Sequence, residues 1–160
     1  MNVKIRVQVE PFDLGAELAA LHATNPKVGA VASFLGLVRD VNHNLQGTDS
    51  VNTLTLEHYP GMTERALARI VQDAEARWSL LDATVIHRVG ELLPTAPIVL
   101  VAVASAYRGD AFAACDFIMD YLKTEAPFWK KERTEDGELW VEARETDAVA
   151  AARWQTPATK

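Results

Sequence analysis

Polar and apolar residues alternate through MNVKIRVQVE, which predicts a strand at about 3–9. The period then lengthens. In PFDLGAELAALHAT, Leu14, Leu18 and Leu21 fall at helical spacing with Asp13 near the start. VGAVASFLGLV is apolar and β-branched and predicts a central strand, and the polar RDVNHNLQGTDS after it predicts a surface loop. VNTLTLEHY is the next strand, stopped by Pro60-Gly61. MTERALARIVQDAEARW gives the clearest helix: Leu67, Ile70, Val71, Ala74 and Trp78 form one stripe opposite a charged face. ATVIHRVGEL and PIVLVAVASA predict two more strands, the second fully buried. A helix then runs from about Asp110 to Thr124, with Phe112, Cys115, Ile118/Met119 and Leu122 as its apolar stripe. Pro127 ends that region, because a residue before proline avoids the helical conformation. FWKKERTEDGELWVEAR predicts a hairpin turning at Asp136-Gly137. Thr146 is placed to cap a last short helix, and residues 155–160 are expected to fray. The order β-α-β-β-α-β-β-α-β-β-α, with adjacent strands on short turns, predicts one α+β domain over 1–154 rather than a doubly wound sheet.

The hairpin separates its lysines. A two-residue turn at Asp136-Gly137 sets Lys131 opposite Glu142 and Lys130 opposite Ala143. One face then carries Trp129, Lys131 and Arg133 with Trp140, Glu142 and Arg144, a solvated side on which Lys131 and Glu142 form an ion pair. The other carries Phe128, Lys130 and Glu132 with Val141 and Ala143, so Lys130 points to the more apolar side. A lysine there either snorkels outward or has a ligand, and for an arbitrary lysine the first is favoured. A one-residue shift in pairing changes the partners but not the alternation along 128–133. Lys123, at the end of its helix, taken alone is a cation that complements the helix dipole and pairs with Asp120. The TEAP turn folds the chain back, however, and two cations converging beside aromatic rings repel unless an anion sits between them.

Composition narrows the partners. The chain has 160 residues, 49% apolar and 24% charged, ordinary for a globular domain with a real core. A net charge of −6 disfavours a broad nucleic-acid footprint, so an anionic ligand needs a local basic cluster. Arg39 opens the polar loop, Arg108 directly precedes the helix beginning near Asp110, and Arg144 ends the second hairpin strand. Each is also readable as an exposed charge, but a helix N-terminus beside an arginine suits an anion. No apolar run is long enough to span a membrane, and the N-terminus is strand-like rather than a signal peptide. The single cysteine rules out an internal disulfide, which places the chain in the cytoplasm. No metal motif is present. Cys115 sits on an apolar stripe and is expected in the core, as are His58 and His87 in their strands, while His43 in the polar loop is weak evidence for a ligand contact.

TLTLEHYPGMTERAL, VIHRVGEL and FIMDYLKTEAPFWKKE, with WVEAR after them, resemble the large, catalytic subunit of molybdopterin synthase from about Val28 to Trp154. The resemblance implies an α/β hammerhead with an additional antiparallel β-sheet. It implies a sulfurtransferase of molybdenum cofactor biosynthesis that converts cyclic pyranopterin monophosphate into the molybdopterin dithiolene. The sulfur is a thiocarboxylate on the C-terminal Gly-Gly of a small ubiquitin-like subunit, so neither a catalytic cysteine nor a cofactor is needed. A homodimer within a heterotetramer is implied as well. The family's two active-site lysines correspond to Lys123 and Lys130. Its substrate contacts fall on Arg39 and Arg108, its pocket lining on Phe34 and Met119, and Arg144 is a further substrate-binding candidate. Many relatives carry His-Arg where this chain has Tyr107-Arg108, and a tyrosine hydrogen-bonds without carrying positive charge at neutral pH. Two rivals stand beside this reading: a non-catalytic binding module for a ubiquitin-like tail, and an unrelated phosphate-ester enzyme built on the Arg108 helix end. Product formed from precursor and a thiocarboxylated partner discriminates them.

Overall fold

The alternating N-terminal segment forms β1 (Asn2–Gln8), and Asp13 caps α1 (Leu14–Ala20) by accepting from the Ala16 N–H at 3.0 Å. These elements belong to a computed structural model that describes residues 1–40, 53–134, 137–141 and 145–155. Next come β2 (Ala30–Leu37), β3 (Thr53–His58), α2 (Met62–Glu75), β4 (Leu80–Arg88), β5 (Gly90–Leu92) and β6 (Pro97–Ser105). The chain continues through α3 (Arg108–Glu125), β7 (Phe128–Thr134), β8 (Gly137–Val141), α4 (Glu145–Ala152) and a short 3-10 turn, Arg153–Gln155.

Two sheets result. The first has the order β1-β4-β6-β2, with β1 and β4 parallel and the other pairs antiparallel. Its β6 is buried almost throughout, as its uninterrupted apolar run predicts. Leu67, Ile70 and Val71 of α2 and Ala114, Phe117, Ile118 and Leu122 of α3 pack on Val85, Val101 and Val103 of one face. Leu14, Leu18 and Leu21 cover Ile86 and Leu100 on the other. The second sheet, β5-β3-β7-β8, is antiparallel throughout and closes over Val38, Leu54, Leu56, Val89 and Leu92. The fold is α+β, and the second sheet is the additional antiparallel one.

Four expectations change. The strand expected over 83–92 is two strands in different sheets. Val89 N–H still bonds Gln8 at 2.9 Å at the end of the first sheet, and Gly90 then takes a φ of +86°, a left-handed turn that glycine makes without a Cβ penalty. β2 is an edge strand rather than a central one, so its Phe34 and Leu37 stay exposed despite the apolar sequence. Phe112 is 67% exposed, and the buried stripe of α3 runs instead through Ala111, Ala114, Cys115, Ile118 and Leu122. The hairpin pairs Thr134 with Gly137, so residues 135 and 136 connect the strands and Lys131 faces Trp140. The ion pair of Lys131 is with Glu138, Nζ to Oε2 at 2.7 Å, while its expected partner Glu142 lies outside the described residues. The same holds for the expected polar loop and for the tail beyond Gln155.

Candidate active site

One line of residues on α3 borders a groove. Phe112, Asp116, Met119, Asp120 and Lys123 recur at helical spacing and, with Cys115, form one wall of a groove of about 490 Å³. Ala32, Ser33 and Phe34 of β2 form the other wall, and because among the described residues no strand lies beyond β2, the groove opens at the sheet edge. Cys115 is buried, its Sγ is 3.7 Å from the Val101 carbonyl, and burial pushes the thiol up to about 12, which leaves almost no thiolate near neutrality.

Beyond Lys123 the chain leaves the helix at Ala126, extended at φ −80° and ψ 127° as the residue before Pro127 must be. Buried Thr63 fixes this turn: its hydroxyl donates to the Pro127 carbonyl at 2.9 Å and accepts from the Tyr59 N–H at 3.1 Å. Phe128 then stacks on His87, with ring centroids 3.8 Å apart and planes 21° apart. His87 Nδ1 lies 2.8 Å from the Arg88 carbonyl. A carbonyl only accepts, so Nδ1 carries the hydrogen and Nε2 is left as an acceptor. Burial holds this imidazole down to about 3, and the charges of Lys123, Lys130 and His58 push it the same way. Both lysines thus act on one buried ring, from the end of α3 and from β7.

Strand register explains how neighbouring lysines diverge. Lys130 stands opposite Leu56 of β3 and Val141 of β8, on the face that carries Phe128 and turns toward the core of the second sheet. Lys131 stands on the outer face among Trp129, Trp140 and Glu138, its Nζ 5.4 Å from the Trp140 ring centroid. Glu138 is held down to about 2 by its bonds to Lys131 and then Arg133.

The other expected contacts are spread out. Arg39 is exposed just past buried Val38, which bonds Ala96 at 3.0 Å and anchors the end of β2 beside the groove. Arg108 is the first residue of α3 rather than a residue before it, and Tyr107 caps the helix without a side-chain bond. Both are exposed, and fifteen residues separate Arg108 from Lys123, about 22 Å along the helix. Arg144 lies outside the described residues. Sequence reasoning missed His87 as the shared neighbour of the lysines, and Asp116 and Asp120 as groove wall. The spacing 112, 116, 119, 123 along α3 was the signal for the latter. Among the described residues no three His, Cys, Asp or Glu side chains converge as a metal site.

A groove lined by Lys123, with Lys130 acting on the same buried His87, is an arrangement suited to an enzyme whose substrate carries negative charge. The family model described as MoaE protein matches residues 7–125. The chain is 65% identical over 150 residues to the molybdopterin synthase catalytic subunit of Ralstonia nicotianae, covering 94% of this chain and 83% of that protein. It is 60% identical over 153 residues to the molybdopterin synthase catalytic subunit of Escherichia coli, covering 96% and 99%. The solved structure of the molybdopterin biosynthesis MoaE protein of Burkholderia ambifaria superposes with a TM-score of 0.81 at 56% identity, covering 98% and 99%. The chain belongs to the MoaE family of molybdopterin synthase catalytic subunits, sulfur-transferring enzymes of molybdenum cofactor biosynthesis.

Proposed function

We propose that Lys123 and Lys130 carry the sulfur transfer in this chain, with cyclic pyranopterin monophosphate held in the groove between β2 and α3. The observation that supports this is that Lys123 lines the groove while Lys130 shares a face of β7 with Phe128, which stacks on buried His87. A neutral imidazole beside them adds no charge of its own, so a substrate anion that reaches both lysines meets two cations. Lys123 takes the acid/base work, and contact with the partner's tail, as the cyclic phosphate opens. Lys130 anchors substrate and stabilises developing charge. Arg39 binds the phosphate from the end of β2. Phe34 and Met119 line the apolar part of the site, and Arg144 joins the substrate contacts.

The sulfur donor is the thiocarboxylated C-terminal Gly-Gly of a small ubiquitin-like subunit, threaded toward the lysines. The raised thiol of Cys115 supports a donor from outside the chain. Arg108 and Tyr107 are too far from Lys123 along one rigid helix to grip the same small substrate. They serve the groove of a second copy, which requires a homodimer, each copy with one small subunit in a cytoplasmic heterotetramer. The test supplies precursor and pre-thiocarboxylated small subunit and measures molybdopterin per unit time. Wild type is expected to turn over and Lys123→Ala to bind the small subunit without product. Full activity of Lys123→Ala would remove the proposed mechanism, and binding without turnover by wild type would make the chain a tail-binding module.

A further inference from the structure

Asp120 precedes Lys123 by three residues on α3, the spacing at which a carboxylate and an ammonium pair on a helix, and both line the groove. They do not pair: among the described residues the ion-pair partner of Asp120 is Arg153. The Asp120 Oδ2 accepts from Arg153 Nε at 3.2 Å, from the second Arg153 nitrogen at 2.8 Å and from Trp154 Nε1 at 2.6 Å. The same guanidinium reaches Asp116 Oδ2 at 2.6 Å, so it spans both carboxylates of the groove wall. The residues that do this are held firmly. Trp154 packs edge-on against Trp78 and Phe117 at 5.6 and 5.5 Å, and its carbonyl accepts from Arg77 at 2.7 Å. The Asp120 side chain is only 15% exposed, which raises the cost of leaving it without these donors. Both donors come from the C-terminal turn, beyond the 7–125 span that the family model matches.

We infer that Arg153 and Trp154 are positioning residues for Lys123: by occupying the Asp120 carboxylate they keep it from pairing with the lysine, whose ammonium stays available to substrate. This deepens the proposed mechanism and rests on Lys123 acting in it. The charged and titratable groups around the end of α3 are Asp116, Asp120, Tyr121 and Glu125 on the helix, Arg153 from the C-terminal turn, Lys130 from β7, His87 from β4 and His58 from β3. Of the carboxylates, the two aspartates alone line the groove with Lys123, Glu125 at two residues' spacing lying on another side of the helix, and both are engaged elsewhere.

The experiment follows the pH dependence of Lys123 labelling by trinitrobenzenesulfonate in the full chain, read by peptide mass mapping. Arg153→Lys with Trp154→Phe removes the fork and the indole N–H without altering net charge or the ring packing. The labelling midpoint is expected to rise by about 0.4 pH unit, the size of a helical pair three residues apart. Asp120→Asn is expected to lower the midpoint by that amount in this background and much less in the wild-type one. If the double variant fails to fold, each single substitution is expected to give a smaller shift of the same sign. An equal effect of Asp120→Asn in both backgrounds, or no rise on releasing the carboxylate, overturns the inference. The midpoint of product formation against pH is expected to move upward with it, whether Lys123 acts as acid or base. Activity of Lys123→Ala is measured alongside: if that variant turns over, the mechanism fails while the labelling result still decides whether Asp120 was sequestered.

Discussion

His87 sits where burial, and after it the charges of two lysines, act against a second proton on its ring and outweigh the Arg88 carbonyl, which favours one. Its folded value of about 3 lies below the ordinary 6.5, so between those limits the unfolded chain binds a proton that the native one refuses. The stability this contributes is whole above about pH 6.5 and is lost as pH falls toward 3, at up to about 1.4 kcal/mol per pH unit. Urea midpoints from pH 7 to 4 are expected to fall with that slope and to flatten in His87→Gln. An unchanged slope in the variant would assign acid sensitivity to carboxylates instead. The hairpin lysines give a second residue-level prediction. Lys131→Ala is expected to stay within a few-fold of wild type in product formation, since an exposed pair with Glu138 contributes about 0–1 kcal/mol. Lys130→Ala is expected to be severely impaired and Lys123→Ala nearly inactive, with the fold kept; an inactive Lys131→Ala beside an active Lys123→Ala would reverse the face assignment. The division between Lys130 and Lys131 was legible, because side-chain alternation survives an error in register. The partner of Lys131 was not, because Thr134 pairs with Gly137 and the turn therefore falls one residue earlier than the Asp-Gly signal suggested.

Among the elements, α3 carries the most. Its core stripe follows from periodicity, yet Phe112 was expected inside and lies outside. A helix apolar around much of its circumference does not announce which side meets the sheet. β2 misled for a related reason: an apolar strand reveals what it is made of, not how many neighbours it has, and among the described residues this one pairs with β6 alone. The break in the 83–92 run was signalled only by Gly90, which an isolated strand also tolerates. The length of α3 yields a prediction about assembly of the site. Arg39→Ala and Arg108→Ala are each expected to weaken precursor binding roughly ten- to a hundredfold, the loss of one charge-assisted contact, with folding nearly unchanged. If Arg108 serves the other copy's groove, subunits bearing Arg108→Ala regain activity when mixed with Lys123→Ala subunits. Mixed dimers then hold one groove with both residues intact. Absence of any gain on mixing places Arg108 outside the shared site.

At the scale of the whole molecule the paired strand runs were enough to predict an α+β arrangement, but not that one strand of the first sheet, β1, would run parallel to its neighbour β4. Pairing of such distant segments is decided by tertiary packing, which a local pattern does not encode. A homodimer is expected from light scattering at micromolar concentration, and a monomeric mass would count against the shared groove. The passage from β4 to β5 through Val89 has a further consequence. The two sheets meet there in consecutive residues, and Val7 and Phe128 each pack in the cores of both. Heating therefore offers no state in which one sheet melts and the other survives. Calorimetric and van't Hoff enthalpies per assembled unit are expected to agree, and a two-peaked transition would show the sheets to be separable. Both lysines act on His87, two residues before Val89. If they act as proposed, activity and both sheets are expected to be lost at one temperature.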